Sequence, residues 1–161
     1  MRSLVRSLST IAVASLLVAS GLCRGPAQGE DIPLPEHPRP DFQRADWINL
    51  NGTWAFRFDK ENTGLANGWA EGKVDFPLSI KVPFPWGSKL SGVSDEADIA
   101  WYRRTIKVPA AWKGQRVFLV VGASDWHTTG WLDGREVGGY QGGYTPFALD
   151  LTTAVKWGEE Q

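Results

Sequence analysis

The chain of 161 residues has one cysteine, Cys23, and it lies close to the N-terminus. Everything after it is therefore without a disulfide and without thiol chemistry. Its two histidines, His37 and His127, stand far apart, and neither has a second ligand at metal-binding spacing. The net charge is −1, with no basic patch, which argues against nucleic acid as a partner. No later segment is apolar enough to cross a membrane. No stretch carries a helical period for three turns. The length rules out an eight-stranded β/α barrel, which needs roughly 200 residues or more.

The first residues read as a secretory signal. Arg2 and Arg6 form a short basic region, Leu8 to Val18 an uncharged apolar run, and Ala27-Gln28-Gly29 a small-residue cleavage pattern, with Ala19-Ser20-Gly21 as a second candidate. Residues 1–29 are thus expected to be a signal peptide, and the product is expected to be exported, to the periplasm or the extracellular space. A lipoprotein anchor at Cys23 is the alternative, although Leu22 before it is larger than such processing favours. No membrane association is expected once the signal is removed. About 130 residues remain after a leader of that length, enough for one domain.

Residues 30–46 form a proline-rich lead-in (Ile32-Pro33-Leu34-Pro35, His37-Pro38-Arg39-Pro40) that no helix or central strand would survive. Residues 47–161 read as a β-sandwich. Asn51-Gly52 is a turn signal, and behind it Trp54, Phe56 and Phe58 alternate with Ala55, Arg57 and Asp59 as a half-buried strand. Residues 60–73 read as a loop pinned by Trp69. A short strand, Ser79 to Val82, ends at Pro83-Phe84-Pro85-Trp86. Asp95, Glu96 and Asp98 lack EF-hand loop spacing and read as a solvated acidic loop. Strands are expected from Trp101 to Val108 and from Arg116 to Val121, the latter buried. A hairpin turns at Asp133-Gly134 in a type I′ geometry. Gly142-Gly143 bends the chain, and Phe147, Leu149 and Leu151 alternate as another strand. Short strands separated by Gly, Pro, Asn and Asp predict an all-β antiparallel sandwich of jelly-roll type.

All nine tryptophans follow the leader. Large rings fill the space between packed sheets, and a ring face can also stack on the C–H face of a pyranose. Trp86, Trp126 and Trp131 border loops or turns, so these are the candidate carbohydrate-binding residues.

In this order, Asn49-Leu50-Asn51-Gly52-Thr53-Trp54, Val82-Pro83-Phe84-Pro85-Trp86, Ser88-Lys89-Leu90-Ser91-Gly92, Trp101-Tyr102-Arg103-Arg104, Trp131-Leu132-Asp133-Gly134 and Gly142-Gly143-Tyr144-Thr145-Pro146-Phe147 resemble the N-terminal sugar-binding domain of glycoside hydrolase family 2. The resemblance extends over residues 47–152. It implies a jelly roll like that of galactose-binding domains, lacking its last strand or strands, and a parent enzyme of β-galactosidase, β-glucuronidase or β-mannosidase type. It also implies that the catalytic glutamates belong to a later barrel absent from this chain. Some members reach the sugar with an asparagine at the Pro-x-Asn-Trp turn. Pro85 stands at that position here, so the contact is not carried over.

Retaining hydrolysis needs two carboxyls roughly 5–5.5 Å apart. Asp125, Asp133, Glu136, Glu159 and Glu160 offer no fixed pair, and His127 has no nucleophile beside it. The expectation is no catalytic residue, no metal and no cofactor in this chain. The expected role is a non-catalytic domain of an exported family 2 glycosidase that supports the barrel and shapes the cleft. The alternatives are a free lectin-like module for β-glycosides and an interaction domain that docks a separate catalytic chain.

Overall fold

The computed structural model describes residues 32–161. The expected signal peptide and Cys23 lie outside the described residues. Seven strands run in chain order: β1 (Gly52–Phe58), β2 (Leu78–Val82), β3 (Ala100–Arg103), β4 (Phe118–Val121), β5 (His127–Leu132), β6 (Arg135–Gln141) and β7 (Phe147–Asp150). Three short 3-10 turns, Pro40–Phe42, Lys89–Ser91 and Ala110–Trp112, are the helical elements among the described residues. All pairings are antiparallel, in the orders β2-β1-β3, β4-β7 and β5-β6. The fold is an all-β antiparallel sandwich, and no helix among the described residues is long and apolar enough to cross a membrane.

The first sheet is organised by the alternation of β1. Phe56 lies opposite Tyr102 and Leu78, and Trp54 opposite Ile80, so these side chains share one face. Phe56 and Ile80 are completely buried there with Val93, and Trp54, Phe58, Val82, Trp86 and Ala100 pack around them. Burying a side chain such as Phe56 contributes about 1.5–3 kcal/mol. The segment after β2 returns over this face, its turn closed by Ser91, whose buried hydroxyl donates to the Ser88 carbonyl at 2.7 Å and accepts from the Val93 N–H at 3.1 Å. The Val82–Pro83 and Asp125–Trp126 peptides are cis.

The second core gathers Val108, Val117, Leu132 and Leu151, with Ile106, Trp112, Leu119, Val137, Ala154, Val155 and Trp157 against them. The β5–β6 hairpin turns through Asp133 (φ 49°) and Gly134 (φ 78°), both in the left-handed region that a type I′ turn requires. Its inner face meets β7. Tyr140 stacks on Phe147 with ring centroids 4.5 Å apart. Gly130 leaves room for Leu149: a Cβ on Gly130 would lie 2.5 Å from Leu149 Cδ1.

The lead-in is fastened to the domain. Asn49 and Asn51 donate side-chain N–H groups to the carbonyls of Leu34 and Pro33, both at 3.0 Å, and His37 packs edge-on against Trp47. At the other end, Ile106 and Gln161 exchange backbone hydrogen bonds at 2.9 and 3.0 Å, and the Gly158 N–H donates to the Val108 carbonyl at 2.8 Å.

Three local expectations are corrected. The strand from Trp101 stops at Arg103, because the chain turns away until Lys107 bridges to Glu160. β4 is not buried throughout: Val117 and Leu119 face the core while Phe118 and Val120 face outward, and Val120 is 64 % exposed. Asp59, assigned to the polar face of β1, is 3 % exposed, because the loop after β1 folds over that face.

Candidate functional site

Trp86, Trp126 and Trp131 occupy three different settings. Trp86 lies on the inner face of the first sheet, with ring centroids 6.0 Å from Phe56, 6.0 Å from Phe58 and 6.2 Å from Tyr102. Trp131 stacks on Trp101 at 5.0 Å and 24°. Trp101 and Tyr102 are neighbours on β3, so their side chains leave opposite faces of the sheet. Trp86 and Trp131 are therefore separated by the thickness of that sheet. Trp126 sits in the loop before β5 and is 62 % exposed. Its backbone carbonyl accepts from the Gly142 N–H at 2.7 Å, which ties that loop to the glycine-rich turn after β6.

The second face of the first sheet carries a layered aromatic cluster. Trp69 is buried against Trp101 at 5.9 Å and Phe76 at 6.4 Å. The guanidinium of Arg57 covers Trp69 at 4.3 Å and that of Arg103 covers Phe76 at 4.4 Å. Asp59 stands at the base of this cluster. One of its oxygens accepts from the Thr63 N–H at 2.9 Å; the other accepts from the Gly64 N–H at 2.8 Å and the Trp101 indole N–H at 3.1 Å. Burial pushes the carboxyl up. The three donors, with Arg57 nearby, outweigh that and hold it below the ordinary carboxylate range. A shallow hollow beside it, about 280 Å³, is lined by Arg57, Lys60, Thr63 and Trp69 among others.

Asp59 was the residue that strand alternation missed. The signal that could have found it is an aspartate at a strand end followed by Thr63-Gly64, a spacing that lets a carboxylate collect loop N–H groups. Tyr144 was also missed. It is 96 % exposed at the tip of Gly142-Gly143-Tyr144-Thr145-Pro146.

The carboxylates considered for acid–base chemistry do not converge. Asp125, Asp133, Glu136, Glu159 and Glu160 are all exposed. Asp133 pairs with Lys156 at 2.6 Å. Glu136 lies opposite Trp131 near the hairpin turn, whereas Asp125 precedes the far end of β5. At the rise of an extended strand the two stand about 20 Å apart, far beyond the separation that retaining hydrolysis uses. Asp95, Glu96 and Asp98 are exposed as well. Among the described residues, no three His, Cys, Asp or Glu side chains gather as a metal site.

Three small antiparallel sheets closed around two cores, with most large rings packed against one another, define a β-sandwich domain. The family model for the glycosyl hydrolases family 2 sugar binding domain matches residues 76–161, and the chain belongs to that family. It is 30% identical over 118 residues to a β-glucuronidase of Paenibacillus borealis, covering 70% of this chain and 19% of the relative. It is 30% identical over 117 residues to a β-galactosidase of Thermoanaerobacter pseudethanolicus, covering 70% of this chain and 14% of that protein. The solved Ruminococcus gnavus β-glucuronidase superposes with a TM-score of 0.67 at 28% identity, over 74% of this chain and 20% of that one. The chain thus spans about a fifth or less of the length of these relatives.

Proposed function

We propose that this chain is the non-catalytic N-terminal domain of an exported family 2 β-glycosidase, packing on a catalytic barrel and shaping one wall of its substrate cleft. The observation that carries this reading is the match of nearly the whole described domain to about one-fifth of much longer β-glucuronidases. The chemistry agrees. A general acid in a glycosidase has a raised pKa, whereas the buried Asp59 is held low with both oxygens engaged. The pairing of β4 with β7 across the β5–β6 hairpin is the nesting that a jelly roll needs.

Export to the periplasm or the cell exterior rests on the leader pattern of residues 1–29. A β-glucuronide is the favoured substrate class of the parent, because β-glucuronidases recur among the relatives. The Ruminococcus gnavus enzyme has also been solved in complex with D-glucuronic acid.

The test is a chimera in which the matching part of this chain replaces its counterpart in the Ruminococcus gnavus enzyme. A soluble chimera that hydrolyses an aryl β-glucuronide is expected. A chimera that folds by circular dichroism and sizing yet shows no turnover would contradict the supporting role.

A further inference from the structure

The geometry points to the free edge of β3 as the seat of a further antiparallel strand, supplied by the segment that follows Gln161 in the parent protein. This inference rests on the reading above only in taking the chain as part of a longer protein. It goes beyond that reading by naming which edge of the sandwich is filled, from which direction and in which register.

Among the described residues, β3 has a strand partner on its β1 side alone, at the end of the order β2-β1-β3. The Asp59 N–H donates to the Ile99 carbonyl at 2.9 Å, which fixes the phase of that ladder. Trp101 and Arg103 therefore turn their backbone groups toward β1, and Ala100 and Tyr102 turn theirs away from it. An unpaired row of N–H and C=O groups is a template for another strand. Residues 160 and 161 already begin such a pairing. Lys107 bridges to Glu160 in the antiparallel sense, and Ile106 and Gln161 exchange both backbone hydrogen bonds, at 2.9 and 3.0 Å. Beyond Gln161 that direction runs back along β3. In the same register, the second residue after Gln161 falls opposite Arg104, the fourth opposite Tyr102 and the sixth opposite Ala100. The two phases agree, because Ile106 is separated by even steps from the residues whose backbone groups turn outward.

Side chains distinguish this edge from the opposite one. β2 lies between Pro77 and Pro83 and carries Lys81, features that blunt an edge against further pairing. No proline occurs between Trp86 and Val108, and β3 presents Ala100 and Tyr102. Tyr102 stands on the core face, with ring centroids 5.0 Å from Phe56 and 6.2 Å from Trp86, yet it is 37 % exposed. Residues directly opposite each other in a ladder share a face of the sheet. The fourth residue after Gln161 would therefore lie beside Tyr102 at the rim of the core, and an apolar side chain there would complete its cover.

The test is residue-resolved amide hydrogen exchange of the full chain, alone and with a tail of about eight alternating valine and threonine residues added after Gln161. In the chain alone, the Ala100 and Tyr102 N–H groups should exchange freely, whereas β1 protects those of Trp101 and Arg103. The tail should slow exchange at Ala100 and Tyr102 about tenfold or more, with a smaller gain at Trp101 and Arg103. A tail of equal length with proline at every second position lacks ladder donors and should give no such gain. Three results would overturn the inference: no gain at Ala100 and Tyr102 with the first tail, an equal gain with the proline tail, or protection of β2 or β4 in place of β3. A dimer of the tail-free chain with both amides already protected would overturn it too, since a second copy would then hold the edge. None of these readouts involves turnover. A failure here leaves the chimera's result standing, and a folded but inactive chimera leaves the edge assignment standing.

Discussion

Trp101 donates its indole N–H to Asp59 at 3.1 Å while its ring stacks on Trp131 at 5.0 Å. A single side chain thus joins the first sheet, the loop that covers it and the β5–β6 hairpin. Asp59 is the polar end of that junction, and its two oxygens receive three N–H donors.

Asp59→Asn keeps the shape and replaces one acceptor oxygen with a donor. At least one N–H then faces another N–H in a buried site, so the variant should lose about 2–3 kcal/mol. Urea unfolding would show this as a lower midpoint with an unchanged slope.

Gly64→Ala tests the packing of the same junction. A Cβ there would lie 2.6 Å from Asp59 Oδ2, 2.6 Å from the Trp101 indole nitrogen and 2.7 Å from the Trp69 ring. All three neighbours are held by the cluster, so the expected loss is about 2–3 kcal/mol from overpacking. Near-ultraviolet circular dichroism should change too, because the tryptophan rings are forced to move.

Gly130 and Leu149 should show coupled energetics. Leu149→Ala creates a cavity and should cost about 2–4 kcal/mol, and Gly130→Ala should cost about 1–3 kcal/mol by crowding Leu149. In the double variant the new methyl enters the space that the leucine vacates. The double loss should fall short of the sum by about 1 kcal/mol or more, measured by chemical denaturation of all four proteins.

Stability should fall at both ends of the pH range. The Arg116 guanidinium, with Thr152, holds the Asp150 carboxyl at about 2, and Asp59 is also held low. Depressed carboxyls contribute stability that is present above about 3.8 and lost as pH falls through their folded values. Burial pushes the Tyr102 phenol up to about 12, so the folded state favours its neutral form. That contribution is present below pH 10 and lost as pH rises toward 12. Melting temperature against pH should bend downward in both windows, and Tyr102→Phe should make the alkaline bend shallower, the raised Lys156 beside Asp133 supplying the rest.

Local pattern made most of the strands legible. Asp133-Gly134 set its hairpin, and the alternation of Trp54, Phe56 and Phe58 marked the inner face of β1. Asp59 was hidden because alternation assumes that a strand's second face meets water. Only the fold of the loop around Trp69 shows that it does not. The outward face of β4 was hidden for a related reason. Phe118-Leu119-Val120-Val121 is apolar on both sides, so no period distinguishes Leu119, which faces the core, from Val120, which does not. Trp86, Trp126 and Trp131 looked alike by position, and only the packing of Phe56 and Trp101 separates the first and third from the exposed second.

The most direct measurement of the central claim is turnover of nitrophenyl β-glucuronide, β-galactoside and β-mannoside by the purified chain, with circular dichroism and sizing run on the same sample. A folded β protein with no turnover of any of the three is the predicted result. Turnover that follows the chain through sizing, and that is lost in Asp125→Asn or Glu136→Gln, would contradict it.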